Sequence, residues 1–322
     1  ISCTSGERFP SRPEAWVNLI VFLLKASGGW RPIGLTMSLL RVWSRLRSSI
    51  ARQWEREHDA KFFWGARGRT CDHAGWCHNI LAGFARHAGF EVATLFGDIE
   101  KFYEFVSHSI LWSEGDAAGF LPDLLKALCG LYAGPRVAIY DTACSDLIDA
   151  GGTILAGCSC ATSLAKVLVY RLLTGLAHKY PSLHLKNVVD DISLQVVSTR
   201  RLVITTLGSA GKDFAEGIAR LRLPLSAAKT VFVASSKDLQ DGLGEAWRGL
   251  DFKCPRSTRN LGTEATGGRR RATRLGDGRV KGASAKTKRL VRLRKAGAKV
   301  AHVHRAGPTA AALWGSAVTR AH

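Results

Sequence analysis

The sequence predicts an α+β fold in which an antiparallel sheet is backed by helices. Three observations carry this. From residue 91 onward the order runs strand, helix, helix, strand-turn-strand, helix, strand, without the regular alternation of a doubly wound parallel sheet. Apolar residues make up 46% and charged residues 22% of the 322, a balance that suits a globular chain with a sizeable core. Finally, the apolar run NVVDDISL (187–194) is broken by two adjacent carboxylates, Asp190 and Asp191, which split it into two short strands with a bend between them.

Taken in order, the first residues are polar and loop-like, and VNLIVFLL (17–24) begins a buried strand. That run is too short to span a bilayer. Its flanks, with Lys25 directly after it and Glu7 and Glu14 before it, fit a strand better than a signal-peptide core. GGW (28–30) then turns the chain into RPIGL (31–35), which makes a hairpin with Lys25 and Arg31 at its edges, and a helix follows near 37–52. Trp76, Ile80, Leu81 and Phe84 recur at helical spacing within 72–90. EVATLFGD (91–98) is an apolar strand that stops on Asp98, IEKFYEFV returns to helix, and a leucine-rich helical stretch covers 109–132. Glycines punctuate a small hairpin over 135–155, and 160–180 is a long amphipathic helix. The split pair of strands (185–198), a helix (202–222) and the strand KTVFVAS (229–235) complete the sheet. A basic helix near 286–303 and a smaller apolar one near 308–318 close the chain, which opens on Ile1 and so reads as a piece of a longer protein.

Charge is unevenly spread. The chain carries a formal +20, yet residues 251–322 hold 18 Lys and Arg against 3 Asp and Glu, so the preceding body is nearly neutral. A basic C-terminal module points to a polyanion, with nucleic acid ahead of a membrane surface. The eight scattered cysteines form no CxxC pair and no disulfide framework. Cys71, His73, Cys77 and His78 are close in sequence, but their spacing matches no common zinc finger, and free thiols in a reducing compartment are the simpler reading.

Two carboxylates about 5 Å apart repel by roughly 3 kcal/mol at an effective dielectric of 20. A divalent cation removes that penalty, and Mg²⁺ favours one or two carboxylates completed by water and substrate phosphates. Two such ions, about 4 Å apart, can activate an attacking oxygen and stabilise a leaving group. Asp98, at the end of its own strand, is the candidate third carboxylate. The competing structural readings are a helix N-cap for Asp98 and a turn pair for Asp190–Asp191.

Six segments in order point to a family. RPIGLTMSLLRVW (31–43), GDIEKFYEFV (97–106), AGCSCATSL (156–164), NVVDDISL (187–194), LRLPLSAAKTVFVAS (221–235) and RNLG (259–262) together resemble the reverse transcriptases of non-long-terminal-repeat retrotransposons over about three quarters of the chain. The resemblance implies a right-hand polymerase: fingers (1–92), an RRM-like palm (93–265, with a fingers insertion at about 109–155) and a basic linker with a partial helical thumb (266–322). It implies RNA-directed DNA synthesis, extending a DNA primer with dNTPs on an RNA template by means of two Mg²⁺ ions, for which Mn²⁺ can substitute. It further implies no membrane partner and an intracellular, nuclear setting, and it implies no particular oligomeric state.

Carried over residue by residue, Asp98 and Asp190 hold the metals, with Asp191 beside them and the Ile99 carbonyl contributing. Tyr103 stands where the family has its aromatic sugar gate, with core packing as its alternative. Lys25 and Arg31 match the fingers cations that clamp the triphosphate, and Gly157 permits close approach by template and nucleotide. Lys229 matches the lysine that protonates pyrophosphate, with a solvated strand-edge lysine as its alternative. Leu261 and Gly262 place the primer end. The sequence departs from the family at Ala156, Ser159 and Val188, where Gln, Pro and an aromatic are usual. Those departures keep a second reading open, a truncated nucleic-acid-binding remnant that no longer polymerises. An RNA-templated RNA polymerase is a third, which a bulky gate at Tyr103 opposes.

Overall fold

A computed structural model describes residues 17–25, 28–66, 68–267 and 274–314. The opening loop (1–16), the small residues 26–27, the basic stretch 268–273 and the end of the last expected helix (315–322) lie outside the described residues.

The described chain begins with β1 (Asn18–Leu24), β2 (Trp30–Leu35) and α1 (Ser38–Glu57), followed by α2 (Cys71–His87) and β3 (Glu91–Asp98). IEKFYEFV forms only a 3₁₀ turn at Phe102–Phe105, entered through Lys101 at φ 44°. The leucine-rich stretch is two helices, α3 (His108–Ala117) and α4 (Pro122–Tyr132). Gly119, at φ +65°, ends the first and Pro122 starts the second, as their backbone preferences dictate. Next come β4 (Arg136–Tyr140), β5 (Ala143–Cys144), α5 (Ala161–Lys179), β6 (His184–Val188), β7 (Asp191–Ser198), α6 (Arg200–Arg220) and β8 (Val231–Ala234). Beyond them lie α7 (Lys237–Ala246), a hairpin of β9 (Ser257–Asn260) and β10 (Thr263–Thr266), α8 (Arg274–Lys295), and short helical turns from Ala301 to Leu313. The basic helix therefore starts and ends earlier than its charge alone suggested.

These residues form two compact units. The first comprises 1–60, 99–179 and 214–225. Its sheet runs β2-β1-β4-β5, with β1 antiparallel to β2 but parallel to β4. Beside it α5 buries residues on more than one side, Leu164, Val167, Leu168, Leu173 and Leu176 among them, so it is a core helix more than an amphipathic one. Trp54 of α1 is 2% exposed and donates its indole N–H to the Ala118 carbonyl at 2.9 Å, which ties α1 to the end of α3.

The second unit comprises 61–98, 180–213 and 226–322. Its sheet, β6-β7-β3-β8, is antiparallel throughout. Strand β3 is central and buried from Val92 to Phe96, which explains why that stretch is apolar but for Thr94. Helix α2 is where sequence reasoning would name the wrong face. Its core face is small, made of Ala74, Gly75, Ala82 and Ala85 with His78, while Trp76, Ile80 and Phe84 are exposed. Close approach is the cause: a Cβ on Gly75 would lie 2.7 Å from the Thr263 hydroxyl. Ala82 and Ala85 pack on Val92 and Val197.

Candidate active site

Register brings the carboxylates together. Strand β3 pairs with β7 so that Asp98 stands opposite Asp191, the last rung of that ladder. Directly opposed antiparallel residues are about 4.5–5.5 Å apart at Cα and share a face of the sheet. Like charges in such a pair destabilise it. The sequence favours Asp190 as the partner of Asp98; the register gives that position to Asp191, with Asp190 next to it in the β6–β7 turn.

That turn is strained. Strand β6 ends at Val188, β7 begins at Asp191, and Val189 between them sits at φ +58°. A β-branched residue at positive φ is an outlier that surrounding structure must enforce. Asn187 helps by donating its side-chain amide to the Val189 carbonyl at 2.9 Å, and its own backbone is bonded to Phe62 and Trp64.

Asp191 has much of its surface open to solvent, yet protein crowds its carboxyl. Burial raises its pKa from 3.8 to about 6, and Asp190 and Asp98 push in the same direction. Lys229 and Arg259 oppose them. The two neighbouring carboxylates and the crowding protein act in the same direction. Lys229 precedes β8 and pairs with Asp98, its Nζ 3.3 Å from Oδ2. The lysine is 70% exposed and the aspartate 30%, so the pair adds at most about 1 kcal/mol. The Asp98 backbone is also held, its amide by the Thr230 hydroxyl at 3.3 Å and its carbonyl by the Ser226 amide at 2.8 Å.

The donor set suits Mg²⁺ in its hydrated form, which needs only one or two carboxylates. It is not a closed cage: among the described residues no group of three or more His, Cys, Asp and Glu side chains is placed to hold an ion. That includes the Cys71–His78 grouping. His78 is fully buried and kept neutral, its pKa pulled to about 3 by burial and then by Lys186. Cys71 instead faces Asp191, and burial followed by that carboxylate raises its thiol.

Leu261 (φ 47°) and Gly262 (φ 77°) form the two-residue turn between β9 and β10. Arg259, on β9 two residues before the turn, lies within electrostatic reach of Asp191 and is a site residue that the motif RNLG contains without marking its role. Beside this hairpin a cavity of about 440 Å³ is lined by Arg259, Arg274, Arg279, Glu264 and neighbours. Glu264 accepts from the Leu275 amide at 3.0 Å, placing a carboxylate at the N-terminus of α8. Helix α8 buries only Ala283 and exposes Lys281, Lys288, Arg289 and Arg292.

The remaining sequence-derived residues belong to the first unit. Arg31 pairs with Leu23 near the loop end of the β1–β2 hairpin, and the Lys25 amide bonds the Gly29 carbonyl at 3.0 Å. Both side chains are exposed. Ile99 follows Asp98 directly and bridges to Leu225. Tyr103 is half-buried, packs edge-on against Phe102, and accepts the Ile154 amide at 2.8 Å. Gly157, at φ +112°, has no room for a side chain: a Cβ there would lie 2.8 Å from the Gly34 carbonyl oxygen.

No protein-family model matches the chain, and no curated protein does. Among solved structures the chain is similar to apo telomerase from Candida tropicalis truncated from its C-terminal domain. The TM-score there is 0.53 at 9% identity, over 80% of this chain and 54% of that one. It is also similar to telomerase from Candida albicans in complex with a TWJ fragment of telomeric RNA, with TM-score 0.53 and 11% identity over 80% and 45% of the two chains. The chain thus spans about half the length of these structures. At such identity the likeness is one of fold, an α+β fold shared with part of these telomerase structures.

Proposed function

We propose that this chain is the core of an RNA-directed DNA polymerase that extends a primer 3′-OH with dNTPs. The observation that carries the reading is the opposition of Asp98 and Asp191 at the end of β3 and β7, with Asp190 adjoining, on a reverse-transcriptase-like fold. A pair of Mg²⁺ ions held there would lower the cost of deprotonating the primer hydroxyl and offset charge on the leaving pyrophosphate. Asp98 and Asp191 would present the ligand oxygens, with Asp190 beside them, and the enforced Val189 turn would keep the last two in place. Lys229 would move from Asp98 once a metal neutralises that carboxylate, which frees its ammonium to donate a proton to pyrophosphate. Exposed cations on α8 would hold nucleic-acid phosphates without reading sequence. Roles for Lys25, Arg31, Tyr103, Gly157, Leu261, Gly262 and the Ile99 carbonyl rest on the motif resemblance, as do the retrotransposon kinship and a nuclear setting. The RNA in the Candida albicans telomerase complex supports an RNA partner by analogy of fold alone.

The test is primer extension on an RNA template with dNTPs and Mg²⁺. The parent should extend, and Asp98→Asn should lose at least about a hundredfold in rate. Equal extension by both would remove the site assignment. The Lys229–Asp98 ion pair and the open arrangement of the carboxylates favour a second reading, a binding remnant. It predicts salt-sensitive nucleic-acid binding that Asp98→Ala leaves unchanged, with no dNTP incorporation.

A further inference from the structure

A cavity of about 440 Å³ opens between α3, α5 and the end of α6, and every residue that lines it belongs to the first unit. Part of its lining is apolar. Gly217 lets Leu172 of α5 lie directly against α6, and Ile110 of α3 and Leu221 extend that surface. The rest is polar and comes from three helices. Ser109 and Ser113 lie four residues apart on α3 and so share a face, Arg171 comes from α5, and Arg220 is the last residue of α6.

The charges in this lining do not cancel. Glu114 is the one carboxylate among the lining residues, and it meets Arg171 only through Nη1, at 3.5 Å. The remaining donors of that guanidinium point to no other acceptor among the described residues. The Arg220 guanidinium and the Ser113 hydroxyl have no hydrogen-bond or ion-pair partner among the described residues. The Ser109 hydroxyl lies 2.8 Å from that of Ser107, from which it can accept while turning its own proton to the cavity.

We propose that this cavity binds a small phosphomonoester, a phosphate dianion carried on an apolar body. Guanidinium forks match phosphate oxygens in pairs, and hydroxyl donors complete the shell. A carboxylate has two oxygens and one charge, too few for two guanidiniums and two serines. A phosphodiester brings one charge and a chain that must leave at both ends, whereas a monoester brings two charges and a single organic body. That body would rest on Ile110, Leu172 and Leu221, and the volume suits a ligand of nucleotide size. None of this rests on the polymerase reading.

The experiment is isothermal titration calorimetry on the full chain at about 0.15 M salt, where attraction between distant exposed charges is largely screened. Phenyl phosphate is the probe, compared with inorganic phosphate and with a thymidine dinucleotide that lacks terminal phosphates. Phenyl phosphate should bind one to one and at least about fivefold more tightly than inorganic phosphate, because only its ring reaches the apolar lining. The dinucleotide should bind more weakly than phenyl phosphate. Arg220→Gln should weaken phenyl phosphate at least about tenfold. Arg201→Gln, an exposed cation at the other end of α6, should leave its affinity unchanged. Ser113→Tyr keeps both guanidiniums but fills the cavity, and should abolish binding. No binding to the parent, equal weakening by Arg220→Gln and Arg201→Gln, or undiminished binding in Ser113→Tyr would overturn the site. A dinucleotide that binds as tightly as phenyl phosphate would overturn the choice of a monoester.

Discussion

The second unit contains two hairpins that each turn on two residues, and they differ in how completely their local costs are met. The β9–β10 hairpin also has a non-glycine residue at positive φ, the unbranched-at-Cβ Leu261 at +47°, but it places Gly262 at its second turn position, where φ is +77°. Its Thr263 hydroxyl donates to the Asn260 carbonyl at 2.8 Å, and Glu264 accepts from both Ser257 and the Leu275 amide. The β6–β7 hairpin instead forces Val189 to φ +58°, leaves the buried Lys186 amine without a hydrogen-bond partner among the described residues, and sets Asp191 against Asp98. Three unmet costs in one hairpin are what a functional site looks like when neighbouring structure is otherwise satisfied. The acidic hairpin leaves several local costs unmet, and the glycine hairpin meets more of its own.

Substitutions can break this contrast from either side. The largest effect is expected in the satisfied hairpin. Gly262→Val would force a β-branched residue to φ +77° with its Cβ 2.4 Å from the Trp314 indole nitrogen, and should cost about 3 kcal/mol in chemical denaturation. In the other hairpin, changes that would normally harm a core should help. Lys186 is 6% exposed, and burial lowers its amine from 10.5 to about 8. Lys186→Met should therefore stabilise the fold by about 2 kcal/mol at neutral pH. The folded state holds that proton less tightly than the unfolded chain does, so between about pH 8 and 10.5 the unfolded chain binds more protons. The parent's stability consequently rises across that window, and the advantage of the variant should shrink over the same range in urea melts. Val189→Gly should give a smaller gain, about 1 kcal/mol, by relieving positive φ at the loss of some packing. A loss there of the size expected for Gly262→Val would mean that the Val189 turn is not strained.

Much of this arrangement was legible in the sequence. EVATLFGD ends on Asp98 because the stretch buried from Val92 to Gly97 stops at that carboxylate, and NVVDDISL divides where it does because two adjacent charges interrupt a buried strand. The register could not be read, since strand sequence alone does not say which carboxylate faces which. Helix α2 was recognisable from the spacing of Trp76, Ile80 and Phe84, but the residues that reveal a helix here are not the ones it buries. Small residues pack against the strands because only they permit close approach, and hydrophobic periodicity does not weigh them. Lys229 meets Asp98, a pairing between positions 131 residues apart that no local pattern encodes. The break between α3 and α4 was foreseeable from Gly119 and Pro122, and a run of leucines hid it.

The central claim is that Asp98 and Asp191 form a repelling pair that a divalent cation relieves. The Asp191 carboxyl is raised from 3.8 to about 6, so its contribution to stability is complete below the lower value and lost as pH rises through the upper one. At about pH 7.5 the repulsion is therefore fully present. Thermal melting at that pH, with and without millimolar Mg²⁺, tests the claim most directly on the parent and on Asp191→Asn. Without metal the variant should melt above the parent. Added Mg²⁺ should raise the parent by a few degrees and leave the variant where it is. Equal shifts in both proteins, or a variant that melts below the parent without metal, would contradict the account.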